Sequence, residues 1–268
     1  RRWLVDYPRA VPLAIFLLVA AVTVLSVFAI ERGERVRESA DLSRQADAMV
    51  SAIERRAYSS SSFLRAGAAL FGSQQNVTSD VFRQFVSELR LDADYRGAEG
   101  IGWAPAITDS QLPAVEAQLS SGRIGPMQVR PTLDQDPRSQ LVPILFLQPD
   151  TLRNRRALGF DMYSEATRRA AMDEATRTVR PTASGRVNLV QDTGPDEFGF
   201  IIYMPVFDGS GSQRSLKGFV YSPFNASQFL SSASELIASP EAALRFYDVS
   251  GGKPLMMVET ENWSDDGH

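Results

Sequence analysis

From Ala10 to Ile30 the chain carries no charged residue, and Val, Leu, Ala, Ile and Phe dominate the run. A helix rises about 1.5 Å per residue, so a stretch of this length spans roughly the 30 Å hydrocarbon core of a bilayer. Helix formation also satisfies every backbone polar group internally, as lipid requires. Trp3 and Tyr7 stand where an interfacial aromatic belt would lie, and Pro8 and Pro12 suit a helix entry. The segment 10–30 is therefore expected to be a transmembrane helix, with residues 1–9 as its cytoplasmic flank. A cleaved signal peptide is the competing reading, because Val27-Phe28-Ala29 is a tolerable cleavage site. The run exceeds the ~7–15 apolar residues of a signal core, which favours an anchor. Charge leaves orientation open, since Arg1, Arg2 and Arg9 precede the segment and Arg32, Arg35 and Arg37 follow it.

The composition excludes several function classes. With 268 residues, 44% hydrophobic and 22% charged, the chain can bury one large core or two small ones. A net charge of −4 argues against nucleic-acid binding. There is no cysteine, so disulfides and thiolate chemistry are excluded. The one histidine, His268, is the last residue, which argues against a Ser-His-Asp triad, a histidine zinc site or a histidine base. Neither a metal nor a cofactor is expected. Arginine supplies nearly all the positive charge, the lysines being Lys217 and Lys253, and with the many alanines this suggests a GC-rich bacterial genome.

Beyond the anchor, residues 31–71 read as a long helix. Val36, Ser43, Val50, Ala57, Leu64 and Phe71 recur at seven-residue spacing, and Ser39, Ala46, Ile53, Ser60 and Gly67 fill the companion positions. Two readings stay open: a stalk that pairs with a second subunit, or a helix packed on its own domain. Ser59–Ser62 is the expected place for the stalk to bend or to meet the globular part. A short helix over 79–91 is predicted with Ser79 or Asp80 as its cap, then a strand over 100–105 and a helix from an Asp109 cap to about Ser121. A strand bounded by Pro143 and Pro149 follows, and then a helix from Ser164 to about Arg177, with Ala171, Ala175 and Val179 at helical spacing. Further strands are predicted over 186–190, 198–206 and 216–222, the last two joined by Asp208-Gly209-Ser210-Gly211-Ser212. A helix over 227–237 and a hairpin over 244–258 complete an α+β pattern.

Three stretches together resemble the core of a CHASE domain: Pro143-Ile144-Leu145-Phe146-Leu147-Gln148-Pro149, Ala157-Leu158-Gly159-Phe160-Asp161 and Arg168-Arg169-Ala170-Ala171. Tyr203-Met204-Pro205-Val206-Phe207 and Gly218-Phe219-Val220-Tyr221 follow in the family's order, and Phe82 to Leu89 and Ile101-Gly102-Trp103-Ala104-Pro105 fit upstream. The resemblance runs from about Val36 to Val258. It implies an extracellular or periplasmic sensor with a transmembrane helix, a long stalk helix and two PAS-like modules, acting as a dimer. By that analogy residues 72–225 form the membrane-distal, ligand-binding module and 226–268 the membrane-proximal one. The sensor is then expected in the periplasm of a bacterium, anchored in the inner membrane.

The resemblance also nominates a site. The aspartate that matches Asp161 contacts the ligand in plant cytokinin receptors of this family. A carboxylate beside the apolar Leu158 and Phe160 can accept strong hydrogen bonds from ligand N–H groups. Its structural alternative is to cap a turn. Leu145, Leu189, Ile201 and Tyr203 are the candidate apolar wall. Tyr203 stands where the plant receptors carry threonine, so the pocket is expected to be smaller and the ligand different. Arg153, Arg155 and Arg156 form a basic cluster expected to face water.

The chain is therefore expected to be the small-molecule-sensing region of a membrane-bound signalling receptor and not itself an enzyme. Its start without methionine and its end before a second apolar span suggest an output domain beyond, with a histidine kinase first and a diguanylate cyclase or phosphodiesterase second. The alternatives are a tethered protein-interaction adaptor, or a hydrolase working through Asp134 and Asp136 or through Asp192, Asp196 and Glu197.

Overall fold

The computed structural model describes residues 10–89, 97–121, 126–133, 139–191, 198–209, 214–235 and 244–259, without the side chains of 10, 11, 35, 36 and 38. The chain divides into two compact units between Val50 and Ser51. In the first, Pro12 begins a run with mean hydropathy 2.9, and Phe16, Leu18 and Leu25 are exposed on all sides. This is the one helix among the described residues that is long and apolar enough to cross a membrane.

Helix α1 runs without interruption over Ala10–Ser73. The helix is unbroken through Ser59–Ser62, and Ser60 is buried there. Ser60 Oγ donates to Arg56 O at 2.9 Å and Ser62 Oγ to Tyr58 O at 3.0 Å, so these hydroxyls bond back onto their own turn. In the second unit the seven-residue seam turns inward. Ser60, Leu64, Gly67 and Phe71 are buried, and Leu64 and Phe71 join the core. Gly67 lets the helix backbone approach the sheet, for a Cβ there would sit 2.9 Å from Val220 Cγ1. This is packing on its own domain, one of the two readings the seam allows.

The core of the second unit is a six-stranded antiparallel sheet in the order β2-β1-β6-β5-β3, with β4 also paired to β5. The strands are β1 (Ile101–Pro105), β2 (Phe146–Gln148), β3 (Thr182–Ala183), β4 (Val187–Asn188), β5 (Phe198–Asp208) and β6 (Ser215–Asn225). Alternation along a strand gives the sheet two faces. One face carries Phe146, Trp103, Val220 and Met204 in a row across β2, β1, β6 and β5. It packs on α1 through Phe71 and on α2 (Ser79–Glu88) through Phe82, whose ring lies 5.8 Å from Phe146. The other face carries Gly102, Tyr221, Tyr203 and Thr182 in the next row. A hairpin of β7 (Arg245–Asp248) and β8 (Leu255–Glu259) forms a second, two-stranded sheet.

Several element ends differ from the sequence expectation, each for a local reason. Thr78, not Ser79 or Asp80, caps α2, accepting from the Val81 N–H at 3.3 Å. Thr108 precedes a 3₁₀ turn (Asp109–Gln111) and binds Gln111 Oε1 through its N–H at 3.0 Å, and α3 (Leu112–Ser120) follows; Asp109 is not the cap. Only Phe146–Gln148 of the proline-bounded run pairs as a strand, while Pro143 makes an isolated bridge to Asp161. The helix after α4 (Leu152–Arg155) is α5 (Ala166–Thr178), capped by Glu165 and not Ser164. Val179 leaves that helix in a left-handed conformation, φ 54°, and does not extend its buried face. Helix α6 covers Ala226–Ser234. Asp134, Asp136, Asp192, Asp196, Glu197 and His268 lie outside the described residues.

Candidate functional site

The second face of the sheet is where the sequence-nominated residues gather. Tyr203 and Tyr221 oppose each other across β5 and β6, with ring centroids 6.4 Å apart. Gly102 opposes Tyr221 on β1, and a Cβ there would overlap the Tyr221 ring, so glycine leaves the room the ring occupies. Both tyrosines are essentially removed from solvent. Burial pushes both phenols well above their ordinary pKa, and the Arg168 charge opposes that rise in each. The Tyr203 hydroxyl donates to Met162 Sδ at 3.6 Å, whereas the Tyr221 hydroxyl has no hydrogen-bond partner among the described residues.

Asp161 enters this face from the segment that precedes α5. It is fully buried. Its Oδ1 accepts from the Val142 N–H at 2.6 Å and the Tyr163 N–H at 3.0 Å, which makes it the cap of a 3₁₀ turn (Met162–Ser164). Its N–H donates to Arg130 O at 2.7 Å, and its carbonyl accepts from Ser164 Oγ at 2.7 Å. The turn that Asp161 caps begins with Met162, the residue that touches Tyr203. The carboxylate is thus held rigidly one residue from the tyrosine pair.

The remaining wall candidates separate. Ile201 lies two residues before Tyr203 on the same face, and its N–H is bound by Ser184 Oγ at 3.0 Å. Leu189 is buried, and a Cβ at Gly199 would meet its Cγ at 2.8 Å, so it packs at the start of β5. Leu145 stands one residue before β2. It lines a cleft of about 700 Å³ with Phe71, Trp103, Val115 and Phe146, bordered by Gln75, Gln111 and Lys217. Of the arginine cluster, Arg153 pairs with Glu99, and Arg155 forms a two-pronged pair with Asp150 at 2.7 and 2.8 Å.

Two buried polar residues that the sequence did not nominate, Arg168 and Tyr221, also belong to this region. Arg168 is 3% exposed. Its Nη2 donates to Asn188 O at 2.7 Å, its guanidinium lies 5.0 Å over the Phe160 ring, and Glu165 Oε2 stands 3.5 Å from its Nε. No sequence signal separates it from Arg169 beside it. Among the described residues no group of three acidic, histidine or cysteine side chains could hold a metal ion.

Residues 75–257 match the CHASE domain. The chain belongs to the CHASE domain family. The match begins beyond α1, later than the Val36 start that the resemblance suggested. CHASE domains are extracellular sensory domains, not catalytic ones. No curated protein matches the chain. Among solved structures it is similar to an extracellular ligand binding receptor from Desulfohalobium retbaense, at 13% identity and TM-score 0.43 over 78% of this chain and 30% of that one. The chain thus spans less than a third of that receptor's length.

Proposed function

We propose that this CHASE domain senses a small molecule on the periplasmic side of the bacterial inner membrane and that α1 carries the signal across. The observation that carries the reading is α1 itself, a single helix that is free of charge up to Ile30 and whose Phe71 stacks on Trp103 of the sensory sheet. A ligand that repacks the sheet has a helix through which to act. It shifts a two-state receptor only by binding one state more tightly than the other. The receptor works as a dimer paired along α1 between residues 31 and 50, where Leu42 and Val50 are exposed. Its output is a histidine kinase, the partner such sensors most often carry.

Asp161, Tyr203 and Ile201 form the ligand site in this reading, with Leu189 and Leu145 at its edge. The test is thermal unfolding of the full chain in detergent against purines, organic acids and amino acids. A ligand that binds only the folded state adds about 2.7 kcal/mol at a hundredfold excess over its Kd. The expected result is a stabilising compound whose effect falls in Asp161→Asn, a change that keeps an oxygen for the Val142 and Tyr163 N–H groups. No stabilisation by any compound would favour a protein-interaction adaptor instead.

A further inference from the structure

We propose that the face between β5, β6 and α5 binds a small carboxylate through the Arg168 guanidinium and the Tyr221 hydroxyl. This rests on the sensory reading above and names the ligand class. Two buried donors lack acceptors there. Tyr221 is 1% exposed, and its hydroxyl has no partner among the described residues. Arg168 is 3% exposed, and its Nε lacks a hydrogen-bond acceptor. Native proteins rarely bury such groups without a partner, so each marks a place where a bound molecule completes the bonding.

The counter-charge to Arg168 is also incomplete. Glu165 stands 3.5 Å away with its side chain 40% exposed. It already accepts from the Thr167 and Arg168 N–H groups at the start of α5. A guanidinium presents its N–H groups in a planar fork that matches a carboxylate, and bonds between ionised partners are the stronger kind. The unpartnered Tyr221 hydroxyl supplies one more donor to the same anion. Burial raises both phenols, so Tyr203 and Tyr221 stay protonated and able to donate. The two rings both occupy this face, which favours a small ligand.

The test uses the full chain in detergent at constant ionic strength. Thermal midpoints and titration calorimetry compare acetate, propionate and pyruvate with acetamide and propionamide. At least one carboxylate should raise the midpoint while its amide does not. Tyr221→Phe removes an unpartnered hydroxyl, so it should fold as well as the parent yet bind that carboxylate about tenfold more weakly. Arg168→Gln should abolish binding. Equal response to acid and amide, or undiminished binding by Tyr221→Phe, would overturn the proposal. If a purine or another compound stabilises the chain and no carboxylate does, the carboxylate assignment fails and the sensory reading stands. If nothing stabilises it, both fail.

Discussion

The indole of Trp103 lies flat against the ring of Phe71, with centroids 4.0 Å apart and planes 10° from parallel. This stack joins the end of α1 to the middle of the sensory sheet. Lys217 of β6 reinforces the joint, its Nζ donating to Phe71 O at 2.8 Å and Gln74 O at 2.7 Å, where the helix leaves its last carbonyls without intrahelical partners. Phe71→Ala removes a ring that is 2% exposed. It should destabilise the domain by about 3–5 kcal/mol, read as a lower urea midpoint of the detergent-solubilised chain.

Gly102 should tolerate no side chain. Alanine there would overlap the buried Tyr221 ring, which is also hemmed in by Tyr203. Gly102→Ala should therefore cost about 1–3 kcal/mol by overpacking. Pairing it with Tyr221→Ala should recover less than the two separate losses combined, and a double-mutant cycle by urea denaturation measures that coupling.

Asp161 should matter to stability even without ligand. Asp161→Ala leaves the Val142 and Tyr163 N–H groups without their side-chain acceptor. The expected loss is about 2–4 kcal/mol, because a buried unsatisfied donor keeps its full desolvation penalty. Asp161→Asn should lose less than half as much. Equilibrium denaturation of the two variants separates the capping role from ligand binding.

Asp248 should make stability depend on acid. Burial raises its pKa, but bonds from Ser250 and the Arg186 N–H outweigh that and hold the carboxyl below its ordinary value. A depressed folded pKa contributes stability at neutral pH that is lost as pH falls through the ordinary carboxylate range toward the folded value. Asp248→Asn should therefore melt earlier than the parent at pH 7, and the gap should close toward pH 3. Melting curves across that range check it.

Local chemistry made the α1 span, most helix interiors and the long β5–β6 hairpin legible, since apolar runs and alternation are sequence-near patterns. Caps were harder to place. Thr78, Thr108 and Glu165 each won over a neighbour that is equally suited by composition, because the chain's entry angle decides which oxygen meets the free N–H. That the turn capped by Asp161 brings Met162 against Tyr203 was not readable, because the contact joins residues 41 positions apart.

By itself, the order of residues determined that a charge-free helix leads into an α+β domain with no cysteine and no usable histidine, and so what chemistry the domain can hold. The tertiary structure alone decided that Gly67 meets Val220, that Gly102 yields its space to Tyr221, and that Arg168 rather than Arg169 is buried. Those outcomes come from contacts between residues far apart in the chain. Such contacts depend on strand register and helix rotation, and a shift of one residue in either would send a different side chain to the same place.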